Sequence, residues 1–173
     1  MNDSESHEPH SAPHRFILLL RHGIAEPRGE GKADKERQLT RKGARRMTEI
    51  GQGLAGTFPA VEAIYTSPLV RAVQTGTALA KGYGGQIPIQ LSEALEPGRD
   101  ASEIRALLEA LPQGRLIFIG HEPDLTRFLG DLCSLDTARM QLKKGGCYGI
   151  RIDATAASLE WMLAPGLLRR VKR

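Results

Sequence analysis

Cysteine is close to absent from this chain of 173 residues: Cys133 and Cys147 are the only two. Neither has a second cysteine or a histidine at ligand spacing, so no zinc site is expected, and two thiols are too few for a disulfide framework. Free thiols fit a reducing compartment, and the polar, acidic N-terminus lacks the basic-then-apolar pattern of a secretory signal; a cytoplasmic protein is expected. No apolar run approaches the roughly 20 residues needed to span a bilayer, so no membrane partner is expected. Aromatic residues are only 5% of the chain, too few to build stacking platforms for single-stranded nucleic acid. There is no P-loop, no catalytic-cysteine signature and no cluster of metal ligands, so neither a metal nor a cofactor is expected. The one literal G-x-G-x-x-G, at Gly51, Gly53 and Gly56, follows a helical pattern instead of joining a strand to a helix. It is not read as a dinucleotide site, and its glycines are expected to end that helix.

What remains is an ordinary globular composition with a bias toward anions. Hydrophobic residues are 40%, charged residues 25%, and the net charge is +4. The length suits one domain with a full core, and the positive balance favours anionic partners. Of the five histidines, His7, His10 and His14 fall in residues 1–14, a Ser-, Glu- and Pro-bearing stretch with almost no apolar content that reads as a disordered tail. The folded domain is expected over 15–166. The cluster Arg169, Arg170, Lys172 and Arg173 reads as a solvated basic tail over 167–173.

Within the domain, strand and helix patterns alternate. Phe16-Ile17-Leu18-Leu19-Leu20 is a short continuous apolar run, the mark of a strand buried on both faces. A long polar loop over 24–39 follows, longer than most connections and so a candidate functional loop. Thr40 caps a helix over about 41–54, with Ala44, Met47, Ile50 and Leu54 on one face. A strand over 61–66 leads to Ser67 as cap and Pro68 as first residue of a second helix, with Arg71 about one turn in. A short edge strand over 87–91 carries Pro88, and a helix covers 101–111. Residues 115–121 repeat the opening: an apolar strand, then Gly120 and His121. A helix from 123 to about 132 and two strands over 148–152 and 159–163 close the chain. Strand–helix repetition ending in a small antiparallel addition specifies a three-layer α/β/α domain with a mostly parallel sheet.

Functional edges of such sheets lie at the carboxyl ends of the strands. Two strands end there in a histidine, His22 and His121. If both strands are central and parallel, the imidazoles share one crevice, and Arg21 and Arg71 add two guanidiniums to it. Guanidinium forks match the oxygens of a phosphate dianion bidentately, and helix N-termini near 68 and 123 add N–H donors. With no metal cluster and no thiol signature, phosphoryl chemistry here has to use a histidine as nucleophile.

Four motifs carry a family resemblance: Arg21-His22-Gly23, Leu39-Thr40-x-x-Gly43, Ser67-Pro68-x-x-Arg71-Ala72-x-x-Thr75 and Gly120-His121-Glu122-Pro123. In this order and spacing the chain resembles the histidine phosphatase superfamily, with its phosphoglycerate-mutase-like fold, and within it the small SixA-type phosphohistidine phosphatases, over roughly 15–165. The resemblance implies a metal-independent phosphoric hydrolase in which His22 is transiently phosphorylated and Arg21, Arg71 and His121 form the rest of the phosphate pocket. In-line attack requires neutral His22, whose pKa two adjacent arginines should lower. The arginines and a protonated His121 would stabilise charge on the equatorial oxygens.

Two carboxylates are candidates for the general acid, Glu93 and Glu122, and position alone does not choose between them. Alkyl phosphates lose a poor alkoxide and benefit from such a donor. A phosphohistidine loses imidazole, whose conjugate acid has a pKa of about 6.5, and depends on it less. The short chain leaves little room for lid insertions, which favours a phosphorylated protein, such as a histidine phosphotransfer domain, as substrate. The alternatives are a phosphomonoesterase for a small phosphate ester, an inert phosphoprotein-binding module, and a nucleic-acid binder on the basic surface, which no motif supports.

Overall fold

The apolar run forms β1 (Arg15–Arg21), in which Ile17, Leu18, Leu19 and Leu20 are all fully buried. Successive strand side chains point to opposite faces, so four buried residues in a row demand cover on both. That cover defines the architecture of the computed structural model, which describes residues 15–29, 31 and 33–171. The tail expected over 1–14, with His7, His10 and His14, lies outside the described residues, as do Lys172 and Arg173.

After β1 come α1 (Arg41–Thr57), β2 (Ala63–Thr66), α2 (Val70–Gly82), β3 (Ile89–Leu91), α3 (Ala101–Ala110), β4 (Arg115–Gly120), α4 (Asp124–Cys133), β5 (Cys147–Ile152), β6 (Ala157–Leu163) and α5 (Pro165–Leu168). The six strands form one sheet in the order β3-β2-β4-β1-β5-β6. The pairs β1–β4, β2–β4 and β2–β3 are parallel, and the β1–β5 and β5–β6 pairs are antiparallel. Leu18, Leu20, Ile117 and Ile119 pack against α1, α2 and Leu168 of α5. Ile17, Leu19, Leu116 and Phe118 pack against α3 and α4 on the other face. This is the expected three-layer α/β/α arrangement with a mostly parallel sheet.

Three details depart from the sequence reading. Thr40 does cap α1, its hydroxyl accepting the Gly43 N–H at 2.9 Å, but the helix runs through Gly51 and Gly53 instead of ending there. A Cβ on Gly51 would lie 2.4 Å from the Leu79 carbonyl of α2, and one on Gly53 2.0 Å from the Leu168 carbonyl. These glycines let neighbouring backbones approach and are not terminators. α2 begins at Val70 with Leu69 as its cap residue, later than the Ser67–Pro68 start expected. Third, Leu168 is buried with the α1/α2 core, so the stretch expected as a solvated tail from 167 is anchored at its start.

The helices α1 and α4, which follow the adjacent strands β1 and β4, lie on opposite faces of the sheet. The chain therefore parts at the carboxyl ends of β1 and β4, the topological switch point at which open α/β sheets hold ligands.

Candidate active site

β1 and β4 pair with Arg21 opposite Gly120, so the next residue on each strand, His22 and His121, emerges at the same level. The rings lie 5.0 Å apart between centroids, tilted by 54°, and the residues are 6% and 4% exposed. Arg71 arrives from the first turn of α2. The strand-to-helix turn is held by the Ser67 N–H on the Ile119 carbonyl (3.0 Å) and by the Ser67 hydroxyl, which accepts the Leu69 N–H (3.3 Å). Arg71 is only 2% exposed, unlike an arginine on a solvated helix face.

Hydrogen bonding fixes the tautomer of His22. Its Nδ1 lies 2.7 Å from the Gly23 carbonyl, which can only accept, so Nδ1 carries the hydrogen and Nε2 keeps a lone pair. The Gly23 N–H donates to the Thr75 hydroxyl (3.0 Å), which donates to the Arg71 carbonyl (2.6 Å). Thr75 thus ties the Arg-His-Gly turn to the helix bearing Arg71. Burial pushes the His22 pKa down to about 3, against the Gly23 hydrogen bond, with Arg71, Arg21 and Lys144 adding to the fall. The sequence argument had the direction but put the arginines first. His121 is also lowered to about 3, by burial and then by His22 and Arg71. Its ring is therefore neutral, not protonated, before any anion arrives. His121 Nε2 faces the Ser67 hydroxyl at 3.0 Å.

These residues line a cleft of about 610 Å³. Arg21, His22, Arg71, His121 and Glu122 all reach it, together with Arg28, Arg37 and Lys144, which the sequence reading did not single out. The last three come from the 24–39 loop and the connection into β5, where charged residues follow no periodicity; the only signal was the loop's unusual length. That loop also brings Asp34 onto Arg71. The Arg71 guanidinium donates to the Asp34 carboxylate at 2.9 Å and to its backbone carbonyl at 2.6 Å. Arg37 and Arg28 pair with the same carboxylate at 2.9 and 3.1 Å. Burial works against ionising Asp34, but the Arg37 hydrogen bond and the Arg71 charge hold its pKa below the usual value.

The two candidate acids part company. Glu93 is not among the cleft-lining residues; its side chain is 84% exposed and lies 3.9 Å from Arg99. Glu122 lines the cleft, accepts the Thr126 hydroxyl at 2.8 Å, and has its pKa raised by burial. Among the described residues, no group of three or more His, Cys, Asp or Glu side chains could hold a metal ion, and no helix is long and apolar enough to cross a membrane. Cys147 is fully buried and its thiol pKa is pushed up by that burial, the opposite of an activated nucleophile.

Comparison with known proteins adds four findings. The family model described as histidine phosphatase superfamily (branch 1) matches residues 17–97. An uncharacterized protein of Picosynechococcus sp. is 36% identical over 142 residues, spanning 80% of this chain and 86% of the relative. Phosphohistidine phosphatase SixA of Escherichia coli is 23% identical over 160 residues, 90% of this chain and 98% of that one. Among solved structures, a protein histidine phosphatase SixA complexed with tungstate superposes with a TM-score of 0.79 at 23% identity, over 88% of this chain and 99% of the other.

Proposed function

This chain belongs to the histidine phosphatase superfamily, and on that premise we propose that it is a phosphatase working through Nε2 of His22 as nucleophile. The observation that carries the reading is the hydrogen bond from His22 Nδ1 to the Gly23 carbonyl, which commits one ring nitrogen and leaves the other a lone pair facing a cationic cleft. Nε2 attacks phosphorus in line; an N–P bond forms and the bond to the leaving group breaks, the electron pair departing with that group. Arg21 and Arg71 meet the charge on the equatorial oxygens through their guanidinium forks. His121 is the fourth phosphate contact: with Nε2 accepting from Ser67, its neutral ring offers an Nδ1 hydrogen to a phosphoryl oxygen. Water then cleaves the N–P bond and releases phosphate. The countercharge comes from side chains, so no step requires a metal.

The substrate we favour is phosphohistidine on a signalling protein, such as a histidine phosphotransfer domain. Two points support it: the Escherichia coli relative bears that activity in its name, and an imidazole leaving group, with a conjugate acid of pKa about 6.5, departs without strong acid assistance. A second reading, a phosphomonoesterase for a small phosphate ester, is favoured by Glu122, whose raised pKa and place in the cleft suit a proton donor to an alkoxide.

An acid quench during turnover tests both. The enzyme is stopped while cleaving a phosphorylated histidine protein and, separately, an aryl phosphate, and the peptide carrying His22 is weighed by mass spectrometry. An acid-labile phosphate on His22, formed faster from the phosphohistidine protein, is the expected result. An adduct from the aryl phosphate alone moves the substrate to small esters. Product without any adduct means that water attacks directly, and the covalent mechanism fails.

A further inference from the structure

A second cleft, also of about 610 Å³, adjoins the catalytic one, and the two share the side chains of Arg21 and Glu122. Its remaining walls come from the first turn of α4, which supplies Arg127, and from the connection ahead of β5, which supplies Thr137, Arg139 and Gln141. None of these outer residues belongs to a motif that defines the site. We propose that this second cleft is the leaving-group subsite, and that it receives an acidic polypeptide segment flanking the phosphorylated side chain. The inference rests on the phosphatase reading above.

The position of Glu122 gives the direction. Its carboxyl stands between the two clefts, held by the Thr126 hydroxyl at 2.8 Å, which in turn lies 3.0 Å from the Tyr148 hydroxyl. A group that hands a proton to a departing atom must lie on the departing side, and beyond Glu122 on that side is the second cleft. The remainder of a substrate whose phosphate sits against His22 extends past Glu122 and Arg21 into it.

The chemistry of the walls gives the occupant. The Arg127 side chain is 69% exposed and touches Asp124 only at 3.4 Å. Asp124 is itself buried, and its other oxygen accepts the Gly98 N–H at 2.8 Å. Arg139 is exposed and has no ion pair or hydrogen bond among the described residues. Arg21 is satisfied on one side by the Leu142 carbonyl at 2.6 Å. Glu122 is the one acidic side chain on the lining, and burial raises its pKa. Arg139 has no carboxylate partner among the described residues and Arg127 keeps only the 3.4 Å contact with Asp124, an excess of positive charge that calls for an anion, and at an open surface such charges read the flanks of a docked chain. They stand at the surface, where a polypeptide's side chains reach and a small ester seated on His22 does not.

The test compares kcat/KM for three substrates: a phosphohistidine peptide with Asp and Glu flanks, the same peptide with Ser and Gln flanks, and an aryl phosphate. The wild-type enzyme should favour the acidic peptide by about tenfold, the scale of two exposed charge pairs. The double variant R127A/R139A should lose that preference and leave aryl phosphate turnover within about twofold, while R127K/R139K should restore part of it, and added salt should erase it in the wild type. An enzyme that cleaves the aryl phosphate but treats both peptides alike overturns the subsite and spares the phosphatase reading. A loss in R127A/R139A that is as large on the aryl phosphate as on the acidic peptide overturns the polypeptide occupant. Failure to cleave any of the three overturns the phosphatase reading itself.

Discussion

β1 carries an arginine at each end, and the two live in opposite circumstances. At the amino end, Arg15 is 7% exposed and donates to the Leu108 and Leu111 carbonyls at the C-terminus of α3. Next to it, Arg115 lies over the Phe58 ring at 4.5 Å and the Phe16 ring at 5.5 Å. There the cations meet helix carbonyls and aromatic faces, favourable partners that cannot leave. At the carboxyl end, Arg21 donates to the Leu142 carbonyl at 2.6 Å and lines two clefts beside His22, Arg71 and Glu122. The same side chain on the same strand fastens a helix at one end and borders open, ligand-sized space at the other. Burial alone does not distinguish structural from functional arginine; the presence of space with unmet charge does.

The sharpest way to separate the ends is His22→Ala. It should lower kcat on an aryl phosphate by about four orders of magnitude or more, because the nucleophile itself is gone, with the melting temperature kept within a few degrees since the ring sits at a strand end. Near-normal turnover would sink the proposed mechanism. Arg71→Ala comes next, with a fall of about 10²–10³ in kcat/KM from lost charge stabilisation, read in steady-state kinetics alongside inorganic phosphate inhibition. Glu122→Gln is more selective. On an alkyl phosphate it should reduce kcat/KM by at least about tenfold, with little change on an aryl phosphate. Because the Glu122 pKa is raised, its protonated form persists above the usual carboxyl range, so wild-type activity on the alkyl ester should fall as pH rises through that pKa. A pH profile of the variant should lack this limb. At the far end of β1 the effect on catalysis should vanish: Arg15→Ala should remove about 2–3 kcal/mol of stability in urea unfolding, the value of charge-assisted bonds to carbonyls, while kcat/KM stays at the wild-type level. Lost activity in a folded Arg15→Ala protein would collapse the contrast between the two ends.

The parts legible in the sequence were those governed by short-range rules. Leu18-Leu19-Leu20 and Ile117-Phe118-Ile119 run unbroken because both faces of β1 and β4 are covered, and Thr40 reads as a cap because its hydroxyl serves its own helix. Arg21, His22 and His121 were legible as a group because strand ends in a parallel sheet share an edge. What stayed hidden depended on partners distant in the chain. Gly51 in mid-helix makes sense only with the Leu79 carbonyl against it. Ser67 and Pro68 carry a helix-start signature but are held in a turn by Ile119. Arg37, Arg28 and Lys144 sit among many similar charges with no periodicity to single them out. Leu168 follows a proline and a glycine and precedes two arginines, so nothing local marks it as core.

Asp34 has a consequence for what the cleft ignores. Its carboxylate is tethered to the chain and already rests on Arg71, Arg37 and Arg28. A tethered group competes at an effective concentration of the millimolar order, so a dissolved monoanion gains little by replacing it. A phosphoryl dianion bound as proposed differs in kind, since it would engage Arg21 and the two imidazoles as well as Arg71 and adds charge that a carboxylate lacks. The cleft thus keeps its deepest cation out of reach of common simple anions, a filter that acts through occupancy and not through shape.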